Sequence, residues 1–229
     1  MANIAVIPAR GGSKRIPRKN VKEFCGKPII SYSIEAAKKS GCFDKIIVST
    51  DDLEIAEIAT KLGAEVPFIR PDDISEDFSV VTDTVIHAIT ELEKKLDIQV
   101  ERACLIYATA PLINSRYIVE GLEKLLSMDK SFAIGVTSYA FPIQRALSII
   151  NDEISQVSDY RDARSQDLEE YYHDAAHFCW GTKDAFLEKH DFFSSSATPV
   201  VIPRGLVQDI DTAEDWKFAE MLYRANNAI

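Results

Sequence analysis

The 229-residue sequence predicts an α/β fold with a mostly parallel sheet and helices on both faces. Short apolar runs, typical of buried parallel strands, alternate with segments whose apolar residues recur every three to four positions, as in helices. Glycines and helix-capping residues separate the two kinds of segment. Because 46% of the residues are apolar, the chain can bury a full core, and we expect one domain over residues 1–229.

The strand–helix rhythm is regular through the first half of the chain. We expect strands at about 4–7, 45–49, 64–69, 102–107 and 132–136, with two more at 175–180 and 199–202. The apolar spacing and capping residues predict helices that begin near Pro28, Asp52, Ser79, Asn114 and Thr182, and a last helix around Trp216. We place Pro28 at a first helical position, and Leu53 and Leu96 on buried helix faces.

The rhythm breaks at Thr137. Residues 141–150 have the apolar content of a strand, but residues 151–174 are polar and irregular. Loops of this length in compact domains are usually functional or interfacial. We therefore expect an inserted segment at about 137–174.

Composition and charge exclude several classes of function. The formal net charge of −10 argues against a nucleic-acid partner. No run of 18 apolar residues and no signal segment is present, so we expect no membrane partner and a cytoplasmic location. The four cysteines are scattered without a C-x-x-C pair, which argues against a disulfide framework or a zinc site.

A basic loop follows the first strand. It contains Gly11, Gly12, Ser13 and five cationic side chains between Arg10 and Lys19. Glycines let backbone N–H groups approach a ligand, and together with Arg and Lys they form a phosphate site. A solvated basic turn is the alternative, but ligands of open α/β sheets bind at the carboxyl ends of strands. The loop matches neither G-x-G-x-x-G nor G-x-x-x-x-G-K-[ST], which disfavours a nicotinamide-dependent dehydrogenase.

A pair of carboxylates lies near the other end of the chain. Asp209 and Asp211 are two positions apart and face the same way on an extended backbone. Their mutual repulsion would be relieved by a hard cation such as Mg²⁺. The alternative is a helix cap by Asp211 or Thr212, with Glu214 completing a capping box. A cap does not account for Asp209. A phosphate loop and paired carboxylates together favour displacement at phosphorus.

Other polar residues keep two interpretations at this point. His173 and Asp174 lie just before a predicted strand, where they either contact a polar substrate or form a local loop pair. The aromatic residues around them either line a sugar pocket or belong to the core.

Several of these motifs together resemble the sugar-acid cytidylyltransferases, the group of the CMP-sialic acid synthetases. The similarity covers nearly the whole chain and rests on IPARGGSKRIPRKN at 7–20, IVSTDD at 47–52, Arg70-Pro71, Pro111-Leu112 and DIDT at 209–212. The resemblance implies a Rossmann-like nucleotidyltransferase fold and a dimerisation arm at about 137–174 that helps to close the sugar pocket.

The resemblance also implies a reaction. CMP would pass from CTP to the anomeric hydroxyl of a nine-carbon 2-keto sugar acid, with release of pyrophosphate and a requirement for Mg²⁺. The protein would be a homodimer. The segment SQDLEEYYHDAAHFCWG at 165–181 resembles the pseudaminic acid branch of the family. Where the sialic acid branch would have a Gln near Tyr107 and an Arg after Leu112, this chain has neither.

Residue roles carry over from the family position by position. Nucleotide contacts are implied for Arg10, Gly11, Gly12, Ser13, Lys14, Lys19, Asn20, Arg70, Asp77 and Thr109. Catalytic roles are implied for Arg10, Lys14, Lys19 and Asp211. Sugar contacts are implied for Tyr107, Gln166, Tyr172, His173 and Asp174. The metal would be held by Asp209 and Asp211.

Two alternatives stay open at the level of sequence. One is the same reaction on N-acetylneuraminic or legionaminic acid. The other is a non-catalytic module that senses nucleotides, against which the intact carboxylate pair argues.

Overall fold

The structure is a computed structural model that describes residues 1–71, 74, 81–160 and 163–227. Within these residues the strands β1 to β10 span Ala2–Pro8, Glu23–Phe24, Lys27–Pro28, Lys45–Ser49, Val100–Ile106, Phe132–Ser138, Leu147–Ile150, Glu153–Gln156, Tyr172–Thr182 and Ala197–Val201. The helices α1 to α6 span Ile30–Ser40, Leu53–Lys61, Val81–Leu96, Ser115–Ser127, Lys183–Leu187 and Ala213–Asn227.

Six strands form the central sheet in the order β10-β6-β9-β5-β1-β4. Five of them run parallel, and β9 runs antiparallel between β6 and β5. The prediction of a largely parallel sheet is confirmed. Because β1 pairs with both β4 and β5, with Val6 opposite Ile47 and Leu105, the carboxyl ends of these three strands meet at one edge.

Helices cover both faces of the sheet, as predicted. Apolar residues of α1, α2 and α4 pack on one face, and those of α3 and α5 pack on the other. Side chains of β1 alternate between the faces, so Val6 belongs to one core and Ile7 to the other. This double burial explains why the strand is apolar at consecutive positions.

A third cluster attaches the last helix to the N-terminal region, and we call it the aromatic cluster. Its buried members are Ile16, Phe24, Ile29, Tyr32, Ile210, Trp216 and Ala219. At its centre the ring of Phe24 meets the rings of Tyr32 and Trp216 edge-on, at 5.6 and 5.5 Å between centroids. The two ends of the chain are therefore joined by packing beside the sheet edge where β1 ends.

Four expectations about individual elements are wrong. Residues 64–69 form one isolated bridge, between Glu65 and Ile47, and no further strand pairing, because Pro67 has no N–H to donate. Pro28 lies in the small β2–β3 hairpin, before the helix starts. Leu53 is 75% exposed, and Ile55 is the buried residue of this turn. Leu96, at the end of α3, is 47% exposed.

The segment after β6 forms its strand pairing within itself. Strands β7 and β8 form a separate antiparallel hairpin, in which Ile149 lies opposite Ile154. Of the stretch 141–150, only Leu147–Ile150 is a strand. At the base of the hairpin, the Ser158 hydroxyl donates to the Gln144 carbonyl at 2.6 Å.

A helix that spans a bilayer needs about 20 predominantly apolar residues. Among the helices that the described residues form, none is both long enough and apolar enough to span a membrane.

Candidate active site

A cavity of about 290 Å³ opens at the carboxyl ends of β1 and β5. Its walls are Pro8, Arg10, Ser13, Lys14, Arg15, Ile16, Lys19, Asn20, Arg70, Ile74, Val81, Thr84, Tyr107, Ala108 and Thr109. The basic loop after β1 therefore forms one wall, and the residues that follow β5 form the facing wall. This is the position at which open α/β sheets bind ligands.

Hydrogen bonds hold the basic loop in shape. The N–H of Gly11 donates to Asp51 Oδ1 at 2.8 Å, and the side-chain amide of Asn20 donates to the carbonyl of Arg10 at 2.8 Å. A Cβ atom at Gly11 would lie 2.7 Å from Asp52 Oδ2, so this close approach requires glycine. A Cβ atom at Gly12 would meet open space. The two glycines therefore differ: Gly11 fits against the β4–α2 connection, and Gly12 is unconstrained by neighbours.

Asp52 links this connection to the loop a second time. It caps α2 by accepting the N–H of Ile55 at 3.0 Å, as the sequence predicts. It also pairs with the guanidinium of Arg18, whose backbone is left-handed at φ 56°. The hydrogen bond from Arg18 lowers the pKa of the Asp52 carboxyl. One carboxylate thus fixes both the start of α2 and the far end of the loop.

Cationic groups from separate segments converge on the cavity. Arg70 is only 4% exposed, and its guanidinium donates to the Thr84 hydroxyl at 3.2 Å. Burial lowers its pKa, the charge of Arg10 lowers it further, and Asp51 opposes both effects. Arg10, Arg70, Lys14 and Lys19 all line the same space. Such an arrangement suits a ligand with several negative charges.

The predicted carboxylate pair is not part of the cavity wall, but it lies beside these cations. Lys19 Nζ is 3.6 Å from Asp211 Oδ1 and donates to the carbonyl of Ile210 at 2.7 Å. Arg15 reaches the same carboxylate oxygen at 2.8 Å. Although Asp209 keeps contact with solvent, the protein atoms packed around it raise the pKa of its carboxyl, and the neighbouring charge of Asp211 adds to this rise.

The helix cap at this point is made by Thr212, one of the two expected residues, together with Asp215. Thr212 Oγ1 accepts the N–H of Asp215 at 3.2 Å, and Asp215 Oδ2 accepts the N–H of Thr212 at 2.7 Å. The expected partner Glu214 is wrong, because it lies one position too early to complete this box. The Asp211 side chain is therefore available for another role.

The carboxylate pair fits a magnesium ion whose coordination shell is completed by the bound substrate. Within the described part of the chain, no group of three or more His, Cys, Asp or Glu side chains could enclose a metal. Two carboxylates with open positions suit Mg²⁺, which usually takes its remaining ligands from water and substrate phosphates.

The structure brings together only part of the predicted sugar site. Tyr107 lines the cavity, and burial together with the charges of Asp174 and Asp209 raises its pKa. Asp174 is half-buried in β9, and its carboxylate accepts the Ala176 N–H at 2.9 Å. Gln166, Tyr172 and His173 are exposed and do not line the cavity. His173 contacts the ring of Tyr139 at 4.8 Å between centroids.

The nucleotide assignments are distributed similarly. Seven of the residues predicted to contact the nucleotide line the cavity: Arg10, Ser13, Lys14, Lys19, Asn20, Arg70 and Thr109. Gly11 and Gly12 belong to the same loop but are not part of the cavity wall, and Asp77 lies outside the described residues.

Sequence reasoning missed several residues of the site. Arg15 was counted as a cation of the loop but received no role, although it contacts Asp211. Thr84 was not recognised, because no local sequence pattern indicates that its hydroxyl accepts a hydrogen bond from Arg70 in the folded chain. Asp51 and Asp52 were read as the start of a helix, and their support of the basic loop depends on tertiary structure.

Comparisons with known proteins agree with this geometry. The cytidylyltransferase family profile matches residues 4–224. The pseudaminic acid cytidylyltransferase of Campylobacter jejuni is 44% identical over 229 residues, covering 99% of this chain and 98% of that protein. The CMP-N,N'-diacetyllegionaminic acid synthase of Legionella pneumophila is 33% identical over 233 residues, covering 99% and 98%.

The fold has a counterpart among solved structures. The structure of a CMP:2-keto-3-deoxy-manno-octonic acid synthetase complexed with CTP superposes with a TM-score of 0.72, covering 99% of this chain and 100% of that one. At 15% sequence identity, this likeness concerns the fold alone. The profile match over almost the whole length and the 44% identical relative establish that the chain belongs to the cytidylyltransferase family.

Proposed function

We propose that this enzyme transfers CMP from CTP to the anomeric hydroxyl of pseudaminic acid, with release of pyrophosphate. The observation that carries the proposal is the meeting of the two ends of the chain beside the cavity, where Lys19, a residue of the cavity wall, contacts both the Ile210 carbonyl and the Asp211 carboxylate. Phosphate-binding cations and metal-binding carboxylates are the two components that nucleotidyl transfer needs. Greater identity to the pseudaminic acid enzyme than to the legionaminic acid enzyme supports the choice of sugar.

The basic loop would hold the triphosphate. Arg10, Lys14 and Lys19 line the cavity and would neutralise phosphate oxygens, with Ser13 donating from the same wall. Asn20 would contact the ribose, and Arg70 the cytosine. The bonds from Asp51 and Asp52 keep the loop in place before the ligand arrives, which lowers the entropic cost of binding.

Asp209 and Asp211 would hold Mg²⁺. When bound, the ion supplies positive charge to the phosphate oxygens on which negative charge develops. The sugar's anomeric oxygen forms a bond to the α-phosphorus, and the bond from that phosphorus to the bridging oxygen of pyrophosphate breaks. The hydroxyl proton leaves the sugar in the same process, and Asp211 is the proposed acceptor.

The sugar would lie on the side of Tyr107 and Asp174. Gln166, Tyr172 and His173 are too exposed to enclose a ligand within a single chain. We propose that they act in a homodimer, in which the segment 137–174 helps to cover a sugar site. The hairpin supports this proposal because its apolar side chains face solvent, at 72% for Ile149 and 68% for Ile154. We place the reaction in the cytoplasm, where CTP is available.

The test is pyrophosphate release from CTP and Mg²⁺ with three acceptors: pseudaminic, N-acetylneuraminic and N,N'-diacetyllegionaminic acid. We expect clear preference for pseudaminic acid in kcat/KM. Equal or better turnover of another sugar would retain the chemistry and refute the choice of acceptor. CTP binding without pyrophosphate release from any of the three would favour a nucleotide-sensing module instead.

A further inference from the structure

Ile210 separates the two carboxylates and is completely buried. Its exposure is 0%, whereas Asp209 is exposed and Asp211 is partly exposed. This alternation is that of an extended segment, in which Ile210 points away from the side shared by the carboxylates. Residues 207–211 belong to no helix or strand, so no backbone ladder fixes them. The Asp211 N–H donates to Asp215 Oδ2 at 3.1 Å, and a further constraint on the segment is what Ile210 packs against.

Ile210 packs into the aromatic cluster, beside Ile16, Phe24 and Trp216. Ile16 is 3% exposed and also lines the nucleotide cavity, so it belongs to both the cluster and the candidate site. On the backbone of Ile210, the carbonyl accepts the hydrogen bond from Lys19 at 2.7 Å. The peptide segment between the carboxylates is thus anchored through a side chain and through a carbonyl.

We propose that Ile210 is a positioning residue that sets the placement of Asp209 and Asp211 relative to the basic loop. The inference rests on the proposed metal role of these carboxylates. A magnesium ion requires near-ideal octahedral geometry, so a small displacement of two oxygens weakens its binding. Ile210 does not contact the cavity itself. Its removal should therefore change the affinity for metal while the metal-free affinity for CTP is kept.

The experiment compares Ile210→Ala with Ile34→Ala in the full-length protein. Ile34 has the same side chain, is also 0% exposed, and lies in the main core on α1. Mn²⁺ binding to the nucleotide-free protein is measured by proton relaxation, together with the Mg²⁺ concentration for half-maximal pyrophosphate release. CTP affinity is measured in EDTA. We expect Ile210→Ala to weaken Mn²⁺ binding and raise the Mg²⁺ midpoint by roughly tenfold, as losses of ligand-orienting contacts do.

The expected control results are an unchanged Mn²⁺ affinity in Ile34→Ala and an unchanged CTP affinity in both variants. Equal weakening of Mn²⁺ binding in both would refute positioning, because it would reflect lost stability alone. If Ile210→Ala does not fold, Ile210→Val should still show a smaller shift of the Mg²⁺ midpoint, and no shift would overturn the proposal.

A third variant, Asp211→Ala, separates this inference from the proposed function. If Asp211→Ala weakens Mn²⁺ binding and Ile210→Ala leaves it unchanged, the positioning role is refuted and the metal assignment stands. If neither changes it, the metal assignment itself fails.

Discussion

The basic loop and the β7–β8 hairpin each come after a strand of the central sheet, β1 and β6, yet the rest of the chain holds them differently. The loop at 10–20 is tied to two distant parts of the chain, the β4–α2 connection through Asp51 and Asp52, and the C-terminal region through Ile210. The hairpin at 147–156 pairs with itself, and its apolar side chains remain in water. A two-stranded hairpin alone is at best marginally stable. The comparison teaches that contacts within the described chain hold the candidate nucleotide side of the site, whereas the hairpin leaves its apolar side chains exposed.

The largest expected effect concerns the nucleotide side of this comparison, where one carboxylate is removed. Asp211→Ala should reduce pyrophosphate release by at least about 10³-fold, because the charge that develops on phosphate would lose its stabilising group. CTP should still bind in EDTA, since the cations that line the cavity are unchanged. The matched control is Glu214→Gln, which alters the neighbouring acid that the structure gives no capping role. Pyrophosphate release by Asp211→Ala at the wild-type rate would refute the assignment.

The next largest effect concerns the hairpin and its proposed role in the homodimer. Replacing the cross-strand pair Ile149 and Ile154 with aspartate should raise the dimer dissociation constant by at least about 100-fold, because the proposed interface would then have to bury two unpaired carboxylates. Light scattering should then give a mass of 25.6 kDa. Met221→Asp is the control, as Met221 is 66% exposed on α6, away from the hairpin. A wild-type chain that is already monomeric at high concentration would contradict the homodimer.

A smaller effect concerns His177, which lies in β9 of the central sheet. Its ring is buried, neither of its nitrogens has a hydrogen-bond partner among the residues that the structure describes, and burial lowers its pKa from 6.5 to about 4. Below pH 6.5 the unfolded chain takes up this proton and the native protein does not, so the stabilisation present above pH 6.5 is lost as the pH falls toward 4. The free energy of unfolding in urea should therefore drop by about 2 kcal/mol between pH 7.5 and 5.

His177→Gln identifies the group responsible for that drop, because it cannot titrate in this range. His190→Gln, at an exposed histidine, should keep the full drop. If His177→Gln loses as much stability on acidification as the wild type, another group accounts for the pH dependence.

The smallest expected effect tests the proposed role of Lys19 in CTP binding by the basic loop. Lys19→Met keeps most of the side-chain length and removes the charge, so metal-free CTP affinity should fall by roughly tenfold, the usual loss for a hydrogen bond to a charged group. Lys22→Met is the control, because Lys22 lies over the ring of Trp216 at 4.6 Å and does not line the cavity. Calorimetric titration with CTP in EDTA measures both. Equal losses in the two variants would indicate a general charge effect.

The two regions also differ in how far sequence reasoning could reach. Strand β4 and the caps at Asp52, Asn114 and Thr182 were predicted correctly, because each depends on a few adjacent residues. The antiparallel course of β9 carries no local signal, since pairing partners are selected by the whole sheet. In the hairpin, β7 lies within the stretch 141–150 that was expected to contain a strand, whereas β8 was missed, because its polar residues conceal a pairing that depends on register.

What the sequence determined by itself is the chemistry near the two ends of the chain: a basic, glycine-containing loop after a buried strand, and two carboxylates two positions apart. A short stretch of sequence is enough for this, because the types of residue and their spacing limit what such groups can bind. Only the tertiary structure decided that these groups meet. Lys19 and Ile210 are 191 positions apart, and the packing of the aromatic cluster brings them together. Such contacts follow from the burial of apolar surface across the whole chain, which no local pattern encodes.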